Sequence, residues 1–287
     1  MADYLPIIFT SLHILAVLFA LIAANLLMGD KKNTGLKVFY AFGMLCFLAS
    51  DAYWIVYDYM NPDVRMPFAV NEVGEAAFFL LMASCLRLLI KGSPDRTVSG
   101  AAAEAGDAQS LRDPYRDARL QAVLTAVFVL AQMVLWIIWT REWIQDTLGG
   151  LPIAYFFCLC AVYAKQTDSF SKREWSLLAG SSFLAVAVNF AALAVERGPV
   201  YDGMMTAAFA VLAAVAAWLA YRVLQLLLSG EAPLSCMALS FVFMAWTVSA
   251  MYMSEGFAYI YFEAMNLISV IFTALSLRKA AMQYDIC

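Results

Sequence analysis

The sequence is short of charge and of histidine. Asp, Glu, Lys and Arg make up 14% of its 287 residues, there is one His, and 64% of residues are hydrophobic. Soluble domains carry about 25% charge and about 45–50% apolar residues, so a water-soluble globule is excluded. No polar stretch is long enough to bury a core of its own. Also absent are a Walker A glycine loop, a GxSxG elbow, an HExxH pair, clustered histidines and a lysine in mid-segment. Their absence removes the sequence signatures of P-loop nucleotide hydrolysis, α/β-hydrolase chemistry, zinc hydrolysis, haem ligation and a retinal Schiff base. The net charge of −4, with basic residues scattered through short loops, gives nucleic acid no continuous face to bind.

What is present is a series of long apolar runs. A hydrocarbon core about 30 Å thick needs about 20 apolar residues in a helix. Nine segments meet or approach this: 5–28, 37–60, 66–90, 118–140, 147–164, 175–195, 203–228, 233–254 and 257–277. They are near-continuously apolar rather than alternating, so helices are expected, not barrel strands. The predicted fold class is therefore all-α, a polytopic membrane bundle forming one embedded domain over 1–287.

Nine alternating spans place 15 of the 18 Lys and Arg residues on one side and only Arg65, Arg141 and Arg197 on the other. The positive-inside rule then predicts an outer N-terminus and a cytoplasmic C-terminus. The fifth segment is short and opens with Leu148-Gly149-Gly150-Leu151-Pro152, a pattern that also fits a re-entrant loop. A full crossing is what keeps Lys165, Lys172 and Arg173 on the basic side. With Asp3 in place of a basic leader, the first segment is expected to stay as a helix. Residues 91–117, rich in Ala, Gly, Ser, Asp and Arg, are expected to form a flexible cytoplasmic linker between spans three and four. Spans two to nine form four hairpins with short outer connections, and the first and last of these share an aromatic and acidic tip, which reads either as a degenerate repeat or as chance in a narrow alphabet. None of the six cysteines falls in an outer loop, and Cys158 and Cys160 point to different helix faces. Packing roles are expected for them.

Ionisable groups are costly inside a bilayer, so each asks for a reason. Asp51 and Asp58 lie on one face of span two with Trp54 between them. Glu72 and Glu75 share a face of span three. Glu263 lies on a stripe of span nine with Tyr259 and Asn266, and His13 sits at a similar level in span one. Gln132 and Asn189 add neutral polar groups. Counting loops, twelve acids face three arginines on the outer side. Interhelical hydrogen bonding is the bland account of these groups. The sharper account is an outward ligand site at His13, Asp51, Trp54, Asp58, Glu72, Glu75, Tyr259, Glu263 and Asn266. Ring faces and carboxylates would there cage a small cation from outside. A proton relay through His13 and the acids, or a divalent metal completed by His13, uses the same residues. No cofactor is indicated, and paired carboxylates without a nucleophile or metal signature point away from an enzyme.

The runs Ser50-Asp51-Ala52-Tyr53-Trp54 and Asn71-Glu72-Val73-Gly74-Glu75-Ala76-Ala77-Phe78 resemble hairpins of bacterial multi-span sensor regions that precede diguanylate cyclase or kinase outputs. The resemblance covers about a sixth of the chain. It implies a sensor-like module in a bacterial cytoplasmic membrane. Because the chain ends about ten residues after its last span, an output through a cytoplasmic signalling partner is the matching expectation. A secondary transporter using the carboxylates as coupling sites is the alternative.

Overall fold

The computed structural model describes residues 5–27, 34–60, 70–92, 113–254 and 256–283. Among them the chain is helical throughout, without strands. The helices are α1 (Leu5–Leu27), α2 (Thr34–Met60), α3 (Val70–Gly92), the short α4 (Pro114–Asp117), α5 (Arg119–Thr140), α6 (Trp143–Gln166), α7 (Lys172–Ala192), α8 (Pro199–Ser229), α9 (Pro233–Tyr252) and α10 (Gly256–Gln283). Eight of them, α2, α3 and α5 to α10, are long and apolar enough to cross a membrane. The protein is a multi-pass helical membrane bundle. The apolar stretch of α1 that meets the same composition test is shorter, Thr10–Ala23.

Every sequence-predicted segment has its helix. The fifth is one uninterrupted helix, Trp143–Gln166, with Pro152 inside it. Proline there lacks the N–H that would bond back one turn, yet the helix continues, because packing on both sides holds it. Gly150 permits part of that packing: a Cβ at this position would lie 2.6 Å from Met133 Cγ on α5.

Side chains, more than loops, set the order of packing. α2 pairs with α3, α5 with α6, and α9 with α10. α1 fits between α2 and α10, α3 rests on α6, and α7 packs on α8. α9 lies innermost, touching α6, α8 and α10, with residues from Pro233 to Ala250 almost all buried. Its hydroxyls are spent locally or on neighbours: Ser240 donates to the Cys236 carbonyl and Thr247 to that of Met244. The outward faces of the peripheral helices are lined by exposed apolar side chains such as Leu15, Ile22, Phe42, Val127, Leu130 and Leu184. In water such a surface would drive aggregation. In lipid it is the expected exterior.

Helix ends are closed by their own chemistry. Ser171 and Glu174 form a capping box at the start of α7. Asp113 caps the short α4 through the Tyr115 amide, so 113–117, the end of the segment expected to be a linker, begins the helical run into α5. Residues 93–112 of that segment lie outside the described residues. The cysteine faces follow expectation: Cys158 Sγ approaches the Ala122 carbonyl on α5, and Cys160 Sγ that of Phe241 on α9.

Candidate functional site at the acidic end of the bundle

Cross-helix contacts bring the end of α2, the start of α3, the end of α5, the start of α6, the end of α9 and the start of α10 to one end of the bundle. The α1 level that carries His13 joins them there. At the heart of this end, His13 Nδ1 donates to Asp51 Oδ2 across 2.8 Å, joining α1 to α2. Both side chains are about nine-tenths buried. The edge-on ring of Phe47 packs against the imidazole with centroids 4.6 Å apart, which fixes its plane. His13 Nε2 is buried and has no hydrogen-bond partner. Glu263, on α10, is close enough to His13 and Asp51 to feel both charges.

A second group adjoins this one. Glu75 on α3 accepts long hydrogen bonds of 3.4 Å from Ser50 Oγ on α2 and from Tyr252 Oη on α9. It also lies within electrostatic reach of Asp51 and Glu72. Glu72 accepts from Gln145 Nε2 in the first turn of α6. Tyr252 is held in turn by Trp136, whose indole donates to the Tyr252 carbonyl at 3.2 Å and whose ring meets the phenol edge-on. Thus α1, α2, α3, α6, α9 and α10 each contribute a polar side chain to one end of the bundle.

Glycine makes the α2–α3 seam possible. A Cβ on Gly74 would stand 3.1 Å from the Cys46 carbonyl oxygen and 3.3 Å from Ser50 Cβ. Any larger residue would push apart the two helices that carry Asp51, Ser50 and Glu75.

Of the residues expected at the site, His13, Asp51, Glu72, Glu75 and Glu263 are brought together. Trp54 points out of the bundle, more than a third exposed. Tyr259 is also largely exposed, though within electrostatic reach of Tyr252. Asn266 is buried and serves packing: it accepts from Thr247 Oγ1 at 3.3 Å and from Ser269 Oγ at 3.2 Å, tying α10 to α9. The side chain of Asp58 lies outside the described residues. Gln132 bonds to Ser249 Oγ at 2.6 Å and Asn189 to the Ala185 carbonyl in its own helix. Three partners escaped sequence reasoning: Ser50, Gln145 and Tyr252. Gln145 carried no signal of its own, since it stands in the mixed stretch between the predicted segments that end at 140 and begin at 147.

Among the described residues no three His, Cys, Asp or Glu side chains converge in a way that could hold a metal ion. The arrangement can do something else. One imidazole cannot balance four neighbouring carboxylates in a medium of low dielectric, where like charges repel strongly. Protonation of some of the carboxyls, or a cation beside them, would relieve that repulsion.

No protein-family model matches this sequence, and neither a curated protein nor a solved structure is similar to it.

Proposed function

We propose that the protein is a nine-span membrane receptor of sensor type. Its N-terminus is outside and its C-terminus cytoplasmic, and the acidic end takes a small cationic ligand from outside. The observation that carries this reading is the gathering of Asp51, Glu72, Glu75 and Glu263 at one end of the bundle, where His13 bonds Asp51 and lies near Glu263. Hydrogen bonds between helices need no acid, and each carboxyl kept inside the bundle costs desolvation even where a neighbour bonds to it. A site that gives up protons when an organic cation arrives makes use of that surplus. Tyr252, bonded to Glu75, supplies an aromatic ring beside the carboxyls. Ligand binding would tighten the contacts between α1–α3 and α9–α10, and residues 91–117 and the tail are where a cytoplasmic signalling partner would read the change.

The test is thermal stability of the purified protein against a panel of inorganic cations and organic amines, with Glu75→Gln and Glu263→Gln beside wild type. A saturable rise in melting temperature for an amine, seen in wild type and lost in both variants, is expected. The absence of any saturable response in wild type would overturn the reading. Orientation is tested separately by labelling single cysteines in a background without the native ones. Arg197→Cys should react from outside and Asp168→Cys from inside.

One observation favours transport as a second reading. α6 carries Gly149, Gly150 and Pro152 just beyond Gln145, which holds Glu72. A proline that removes a main-chain bond about two turns along the helix from the glutamine that holds a carboxylate is the kind of weakened helix that transporters use at substrate sites. Uptake of the same amine into proteoliposomes, driven by a pH gradient, would decide for it.

A further inference from the structure

A separate feature lies toward the other end of the bundle. α5 and α7 meet only sparsely there, and between them, floored by α6 and α9, runs a groove with a cavity volume of about 460 Å³. Its walls are apolar, including Phe128, Phe157, Ala179, Phe183, Val242 and Trp246. Toward the acidic end it stops at Ser249, about one helical turn short of Tyr252 and held by Gln132. At its mouth stand Gln121, Lys165, Lys172 and Trp175.

The mouth is polar but incompletely satisfied. Trp175 Nε1 and Gln121 Oε1 are both buried without a hydrogen-bond partner among the described residues. Lys165 has only a loose contact of 3.9 Å with the exposed Asp168. The nearest acid of α7, Glu174, is already engaged by the Ser171 amide and by Arg222, so it does not neutralise the lysines. Buried polar atoms rarely go unpaired, and an orphan donor marks the place of a missing partner. Exposed Leu120, Leu124 and Leu177 flank the groove, which opens it to the acyl region of a bilayer rather than to water.

We propose that this groove holds one acyl chain of an anionic phospholipid, with the phosphate set between Lys165 and Lys172 and accepting a hydrogen bond from the Trp175 indole. The volume suits a single chain, the walls suit hydrocarbon, and the two cations with one unpaired N–H donor at the mouth suit a phosphate diester. Basic pockets between helices at a membrane face bind lipid head groups on the same principle. This inference does not depend on the acidic end.

The test is native mass spectrometry of the full-length protein with equimolar dioleoylphosphatidylglycerol and dioleoylphosphatidylcholine, and with oleate as a third probe. Wild type is expected to retain the glycerol lipid over the choline lipid by about tenfold or more. The double substitution Lys165→Gln and Lys172→Gln, at residues exposed enough to leave folding alone, should lower it to the choline level. Ala179→Trp, which fills the groove, should remove both lipids. Equal retention of the two lipids by wild type, or selectivity surviving in the double variant, would overturn the proposal. Displacement of the glycerol lipid by an equimolar amount of oleate would overturn the phospholipid in favour of a free long-chain carboxylate.

Discussion

The two ends of the bundle are tied together in different ways. At the acidic end side chain meets side chain: His13 with Asp51, Ser50 and Tyr252 with Glu75, Gln145 with Glu72. At the basic end side chains mostly reach main-chain carbonyls. Gln166 donates to Ile90 O at 3.0 Å, Ser235 to Thr167 O at 3.0 Å, and Lys279 to Leu227 O at 2.6 Å. A bond to a carbonyl near a helix C-terminus satisfies an acceptor that always exists and responds to nothing. A bond between a carboxylate and another ionisable or hydroxyl side chain changes with the charge of either partner. The basic end is thus closed mostly through main-chain carbonyls, and the acidic end through side-chain bonds whose strength depends on charge.

The largest expected effect tests that contrast at its centre. His13→Leu strands a buried Asp51 and should cost about 3–5 kcal/mol, read as a loss of stability in denaturant titrations of the detergent-solubilised protein. The double variant His13→Leu with Asp51→Leu should recover most of that loss while remaining blind to amines. If the double variant still responded to them, the acidic end would owe its ligand response to other residues. Next in size is Gly74→Val, which forces α2 from α3 and should cost about 1–3 kcal/mol by overpacking. Its amine affinity should fall too, because Ser50 and Glu75 move apart.

The basic end should respond more weakly. Lys279→Met removes one charge-assisted bond to the last turn of α8 and should cost about 1 kcal/mol, with amine binding unchanged. A loss of amine affinity in that variant would break the separation between the ends. Smallest is Arg222→Gln, which releases Glu174 at a partly exposed pair and should cost about 0.5 kcal/mol, vanishing in high salt. Melting temperatures at low and high ionic strength would check this.

How far the site could be read in advance differs by residue. The acids and His13 stood out because charge in an apolar helix is rare and its depth can be counted from the segment's end. Their level was legible; their partners were not. Trp54 shares a face of α2 with Asp51 by spacing, yet points away from the bundle, because a helix face spans a wide arc and only the neighbouring helix decides which part of it is covered. Asn266, on the same stripe as Glu263, is taken by Thr247 one helix away. Tyr252 and Gln145 become site residues only because α6 packs on α3 and the Tyr252 hydroxyl of α9 reaches Glu75.

The sequence by itself determined the medium and the elements. Apolar runs of membrane length must be helices, since lipid satisfies no backbone group, and so the all-α bundle, its segment positions and its acidic end were all legible in one dimension. Which helices touch was decided only in three dimensions. Helix association in lipid depends on local fit, such as Gly74 under Ser50 or Gly150 under Met133, rather than on burial from water. That fit is a property of pairs of surfaces, and it alone sets His13 against Asp51 and leaves the groove between α5 and α7 open.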